Sequence, residues 1–177
     1  MGGYYESRLT FHFDPREWAV RRYDAHTYFQ GLAGAGLRGV DFVALWRRQY
    51  LVLIEVKNYA DPRAVRPGKA ELIQVLEAKF MDTLQGLSTI EAMLERKWFF
   101  RITRPGWLRA DARRFDWAFW AQAGHLCRQP AQCLAVPWIN AGESLQAGDF
   151  PHLPDDFGII LDPAMALAFF EGSMKVE

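Results

Sequence analysis

Three side chains stand out for the chemistry they could do together: Asp41, Glu55 and Lys57. Asp41 opens the apolar run that ends at Trp46. Glu55 and Lys57 close the run that starts at Tyr50, and Arg47-Arg48-Gln49 lies between. Both runs are short and rich in Val, Ile, Leu and aromatics, so they read as a β-hairpin. A turn centred on Arg48 sets Asp41 directly opposite Glu55, with β-carbons about 4.5–5.5 Å apart. Strand alternation puts Lys57 on that same face, two residues past Glu55. A slip of one residue would separate the carboxylates. Like charges set opposite one another repel unless something neutralises them, and carboxylate oxygens are the ligands that Mg²⁺, or Mn²⁺ in its place, prefers. A water on such an ion has a lowered pKa and can attack a phosphodiester while the ion offsets charge on the phosphate. Lys57 would orient that water, help deprotonate it or stabilise the developing negative charge. The backbone carbonyl of Val56 is a further candidate ligand. The plain alternative is a salt bridge at a strand end, since Glu-x-Lys is common there. Context weighs against it: Glu55 and Lys57 follow Leu51-Val52-Leu53-Ile54, and an acidic residue opens the preceding strand after Gly39.

The same residues carry a family resemblance. Gly39-Val40-Asp41-Phe42-Val43, then Leu53-Ile54-Glu55-Val56-Lys57-Asn58, resembles the PD-(D/E)xK nuclease superfamily, the restriction-endonuclease-like fold. The likeness covers about residues 15–90, as helix, hairpin, motif and helix; one departure is Val40, where proline would precede the aspartate. It implies an α/β core with a mixed central sheet flanked by helices, a metal held by Asp41 and Glu55, and a catalytic role for Lys57. The expected activity is that of a Mg²⁺-dependent endonuclease acting on nucleic acid, DNA first. Some members set an acidic residue of the first helix near the metal. Glu17 is the candidate here, although a helix-capping role suits it better, and Asp24 is the alternative. Gln74 resembles a glutamine often found near such a site, and a solvated helix position describes it equally well. A homodimer would suit an enzyme that cuts two strands.

The elements around the hairpin follow from periodicity and caps. Asp14-Pro15-Arg16-Glu17 reads as a helix start, with Asp14 as N-cap and Glu17 completing a capping box. Trp18, Ala25, Phe29 and Leu32 then recur at helical spacing, and the glycines from Gly31 to Gly39 end the helix. The hairpin strands are apolar on both faces: Phe42, Ala44, Val52 and Ile54 on one, Val43, Leu45, Leu51 and Leu53 on the other. Such strands belong inside a covered sheet. Asn58 to Gly68, with Pro62 and Pro67, reads as a loop. Leu72, Leu76, Phe80, Leu84 and Leu87 form the stripe of a long helix from Lys69 to about Ile90. Trp98 to Ile102 reads as a strand. Phe115 to Ala123 fits a strand or a helix, with strand preferred. Cys133 to Ile139 and Phe157 to Leu161 read as strands, and Asp162-Pro163 starts a helix through Phe170.

Composition bounds the rest. The 177 residues suit one domain, with a core motif region over about 15–125 and a C-terminal extension over about 126–177. Half the residues are hydrophobic, enough for a sizeable core. The 21 basic and 21 acidic side chains cancel, so any phosphate-binding surface must be local. Arg96, Lys97, Arg101, Arg104, Arg109, Arg113 and Arg114 form such a basic block, interleaved with Trp98, Phe99, Phe100 and Trp107 that could stack on bases. A solvated connection with core aromatics describes the block equally well. Arg47 and Arg48 in the turn are weaker phosphate candidates. Acidic residues, Glu143 among them, predominate after residue 141. Cys127 and Cys133 make no zinc pattern, the four histidines show no ligand spacing, and neither a signal core nor a membrane span is visible, which fits a cytoplasmic protein. The rival to the enzyme is a nuclease-like fold without activity, serving as a protein- or nucleic-acid-binding module or as an accessory domain.

Overall fold

The computed structural model describes residues 2–34, 36–60, 65–140 and 144–177. Part of the expected Asn58–Gly68 loop, including Pro62, and also Glu143, lie outside these. The chain forms β1 (Gly2–Glu6), β2 (Leu9–Phe13), β3 (Trp18–Arg22), α1 (Thr27–Ala33), β4 (Phe42–Trp46), β5 (Tyr50–Asn58) and α2 (Lys69–Glu95). It continues with α3 (Trp98–Arg109), α4 (Asp116–Leu126), β6 (Cys133–Asn140), β7 (Gly158–Ile159), α5 (Pro163–Phe169) and β8 (Met174–Val176).

The central sheet has the order β3-β4-β5-β6-β7. Strands β3, β4 and β5 are antiparallel, and β5, β6 and β7 are parallel, so the sheet is mixed. A parallel neighbour needs a long crossover. Here α2, α3 and α4 supply it between β5 and β6. Both faces of the hairpin are covered, as the alternation requires. Val43, Leu45, Leu51 and Leu53 pack with Leu76, Phe80, Leu87, Phe119 and Trp120 of the crossover helices. Phe42, Ala44, Val52 and Ile54 pack with Phe11, Phe13, Phe170 and Met174. That second cover is a three-stranded sheet, order β1-β2-β8, together with α5. The mixed sheet flanked by helices expected from sequence is present, with one face covered by the crossover helices and the other by α5 and the small sheet together.

Several local expectations are corrected. Asp14 does not start a helix; residues 15–17 form a turn that feeds β3, and α1 begins only at Thr27. Aspartate followed by proline suits the first two positions of a type I turn as well as a helix cap. The Asp14 carbonyl accepts the Glu17 N–H at 3.1 Å, which closes that turn, and the Asp14 carboxylate also accepts from the Arg16 backbone N–H at 2.9 Å. Trp98 to Ile102 is helical, within α3. Phe115 to Ala123 also lies mostly in a helix, α4, which is buried on nearly every side from Ala118 to Leu126. A helix apolar all round shows no stripe, and so no helical period. The long helix, β6, β7 and the Asp162-capped α5 stand where sequence puts them.

The hairpin turn is unusual. Arg47 and Arg48 both occupy left-handed backbone, at φ 50° and 59°, a region costly for side chains larger than glycine. Their guanidinium groups compensate. Arg47 pairs with Glu17 and Glu171 and lies 4.6 Å from the Trp46 ring centre. Arg48 donates to the carbonyls of Leu108, Arg109 and Ala110, capping the C-terminal end of α3.

Candidate functional site

The register turns the three sequence candidates into one place. Phe42 stands opposite Ile54 and Trp46 opposite Tyr50, which is the pairing of a turn centred on Arg48. Asp41 lies in the bend just before β4, one step beyond that ladder. Its Oδ2 accepts the Val56 N–H at 2.7 Å, so the carboxylate is tied to the partner strand. Val56 therefore meets Asp41 through its N–H, while its side chain packs on the face of the small sheet.

Glu55 is fully buried. A carboxylate in that position must be paired or protonated. Its Oε1 meets the Lys57 ammonium at 2.8 Å and the Lys79 ammonium of α2 at 2.7 Å. Its Oε2 is also buried and has no hydrogen-bond partner among the described residues. Burial raises the Asp41 pKa, the neighbouring Glu55 charge adds to this, and the result stands at about 7 despite the Val56 hydrogen bond. Burial alone would lower the Lys57 pKa. The Glu55 and Asp41 carboxylates outweigh it and hold the lysine above its ordinary value.

Two more carboxylates border Asp41. One oxygen each of Glu6, Asp24 and Asp41 lie within 4.8 Å of one another. Glu6 comes from the end of β1 and Asp24 from the bend after β3. Arg22 partly neutralises them, through an ion pair to Glu6 and a 3.8 Å approach to Asp24. Asp24, the alternative to Glu17, is thus beside the site. Glu17 is not. It accepts from the Trp46 indole at 3.2 Å and pairs with Arg47, at the far end of a five-residue strand, about 17 Å away. Gln74 is exposed on α2.

The basic candidates lie elsewhere. Arg47 and Arg48 belong to the turn end of the hairpin and are engaged there. Arg101 is exposed, and Arg104 is held by Glu91 at 2.8 Å and Glu95 at 3.4 Å. An open cavity of about 630 Å³ lies between Ala92, Glu95, Arg96, Arg101 and Arg104. Glu95 is sixteen residues along α2 from Lys79, about 24 Å of helix. The cavity is therefore separate from Glu55.

Sequence reading missed Lys79 and Glu6. Lys79 follows Leu76 by three residues and precedes Phe80, so it borders the buried stripe of α2. A lysine there must aim its ammonium at a carboxylate or at solvent, and that signal was available. For Glu6 there was none, because β1 lies outside the resemblance. Comparison of the chain with protein-family models, with characterised proteins and with solved structures returns no match in any of the three. Among the described residues no helix is long and apolar enough to cross a membrane.

Proposed function

We propose that the protein is a divalent-metal-dependent nuclease of the PD-(D/E)xK type, hydrolysing phosphodiester bonds of nucleic acid, DNA first. The observation that carries this reading is the buried Glu55 Oε2, unpartnered among the described residues, on the strand opposite Asp41. A buried carboxylate oxygen without a donor is costly, and a hard cation would satisfy it. Asp41 and Glu55 would hold Mg²⁺ or Mn²⁺, with the Val56 carbonyl as a further ligand and Asp24 and Glu6 close enough to Asp41 to contribute. Bound there, the cation would polarise the phosphate and lower the pKa of the attacking water. Lys57, half-buried and held charged, would orient that water and offset the charge developing on the phosphate oxygens. The Val56 N–H fixes the Asp41 carboxylate in place for its role.

The test is direct. Purified protein with Mg²⁺ or Mn²⁺ is offered a panel of single- and double-stranded DNA and RNA. Cleavage that disappears in Glu55→Ala and Lys57→Ala supports the reading. Wild-type protein that neither binds a divalent metal nor cuts any substrate sinks it. One observation favours a second reading, a nuclease-like fold that binds but does not cut: the lysines already balance the Glu55 charge. Calorimetric titration with Mn²⁺, comparing wild type with Asp41→Asn, separates the two.

A further inference from the structure

Glu55 is met by two ammonium groups on one oxygen, more positive charge than that oxygen alone requires. The two lysines are not equivalent. Lys79 lies inside α2, and its own backbone is tied to the site. Thr83 Oγ1 donates to the Lys79 carbonyl at 2.7 Å and accepts the Val40 N–H at 3.1 Å. Thr83 is fully buried. The residue before it, Asp82, accepts the Arg38 N–H at 2.9 Å. The 79–83 turn of α2 is thereby fastened to the segment leading into Asp41, and Lys79 is fixed relative to both carboxylates. The Lys57 backbone is held in the β5–β6 ladder, opposite Ile139 and one residue from the end of β5. Its side chain is the more exposed of the two, 30% against 21% for Lys79, which gives its ammonium the readier path to solvent.

We propose that Lys79 is the standing counter-ion of Glu55, and that its presence frees Lys57 to leave the carboxylate for the substrate. A single lysine could not do both jobs. Its departure would leave the buried Glu55 with the cation alone on the proposed reading, and with no side-chain partner in metal-free protein, which is strongly unfavourable. With Lys79 fixed in place, Lys57 leaves at little cost. Lys79 is thus a positioning residue that acts through Glu55 and Lys57. The catalytic half of this inference rests on the nuclease reading; the structural half does not.

The experiment follows the lysine ammonium ¹H–¹⁵N signals of the full chain by NMR, assigned with Lys57→Arg and Lys79→Arg. Without metal, the Lys79 signal should be protected from solvent exchange. On addition of Mg²⁺ alone, the Lys57 signal should be lost to exchange while that of Lys79 persists. A Lys79 ammonium that exchanges like an exposed lysine in metal-free protein, or that is the one lost with Mg²⁺, overturns the assignment. If Mg²⁺ moves neither signal the metal reading fails, and metal-free unfolding decides the structural half: Lys79→Met should lower the midpoint more than Lys57→Met, and an equal or smaller fall overturns it. Where cleavage is seen, Lys79→Met should reduce kcat by about 10- to 100-fold with KM little changed, and Lys79→Arg should restore most of it. A Lys79→Met enzyme with wild-type kcat overturns the catalytic half.

Discussion

Glu55 and Glu91 make an internal comparison. Both are buried, at 0% and 1% exposure, and each is met by two cationic side chains. At Glu91 the cations divide the carboxylate between them. Arg104 donates to Oε1 at 2.8 Å, and Arg128 Nε lies 2.8 Å from Oε2 as an ion pair not aligned for a hydrogen bond. Glu95 joins the cluster from the next turn of α2. The Gly124 backbone of α4 approaches so closely that an added β-carbon would stand 2.7 Å from Glu91 Cβ. This is a structural joint made of planar guanidinium groups. At Glu55 two flexible ammoniums crowd one oxygen, and the other has no hydrogen-bond donor among the described residues. Oε2 of each glutamate lacks a hydrogen-bond donor among the described residues, but at Glu91 a guanidinium stands 2.8 Å from it, whereas at Glu55 both ammoniums meet Oε1.

The largest expected effect separates the two by function. Glu55→Ala should reduce cleavage to background, whereas Glu91→Gln should leave the rate per folded molecule unchanged. The measurement is steady-state cleavage beside circular dichroism, and a Glu91→Gln enzyme that is folded but inactive would break the comparison. Glu91→Gln is expected to cost about 1–3 kcal/mol in denaturant unfolding, because it weakens charge-assisted hydrogen bonds in a buried cluster.

A pH experiment sharpens the contrast. Burial and the Glu55 charge raise the folded pKa of Asp41 from 3.8 to about 7. Between those values the folded state binds more protons than the unfolded state. The contribution of Asp41 to stability is therefore fully present below the lower value and declines as pH rises towards 7. A divalent cation favours the ionised carboxylate, so stabilisation by Mg²⁺ in thermal melts should be larger at pH 8 than at pH 5. Glu91→Gln should keep that difference and Asp41→Asn should lose it. The smallest effect concerns the turn. Glu17→Gln should leave cleavage unaltered and shift the unfolding midpoint only slightly, because the ion pair it weakens is solvent-screened. A large loss of cleavage in folded Glu17→Gln would return that residue to the site.

The legible parts of this molecule are those in which a local pattern had one interpretation. The alternation of Phe42, Ala44, Val52 and Ile54 against Val43, Leu45, Leu51 and Leu53 foretold two covers, and both exist. It could not say that one cover would be a sheet, because apolar strand faces do not record what lies on them. Asp14-Pro15 was misread since a turn and a helix start use the same residues. Helix α4 was misread because burial all round erases the period that identifies a helix. At the site, Asp41, Glu55 and Lys57 were legible because a hairpin relates them. For Lys79 the sequence showed only a lysine bordering the buried stripe of α2; that its partner is Glu55 was not legible, because spacing across the connection from β5 to α2 says nothing about distance.

The Arg47-Arg48 turn has a consequence for how this chain tolerates change in length. Surface turns usually accept an extra residue at modest cost. Here the turn sets the parity of the hairpin. A single residue added between Trp46 and Tyr50 would send one strand's side chains to the opposite face if pairing were kept. Asp41 and Glu55 would then no longer meet, although neither had been altered. The contacts of Arg48 with the end of α3 hold that count from the far end of the strands. The turn is therefore a place where insertions should be rare and substitutions comparatively free.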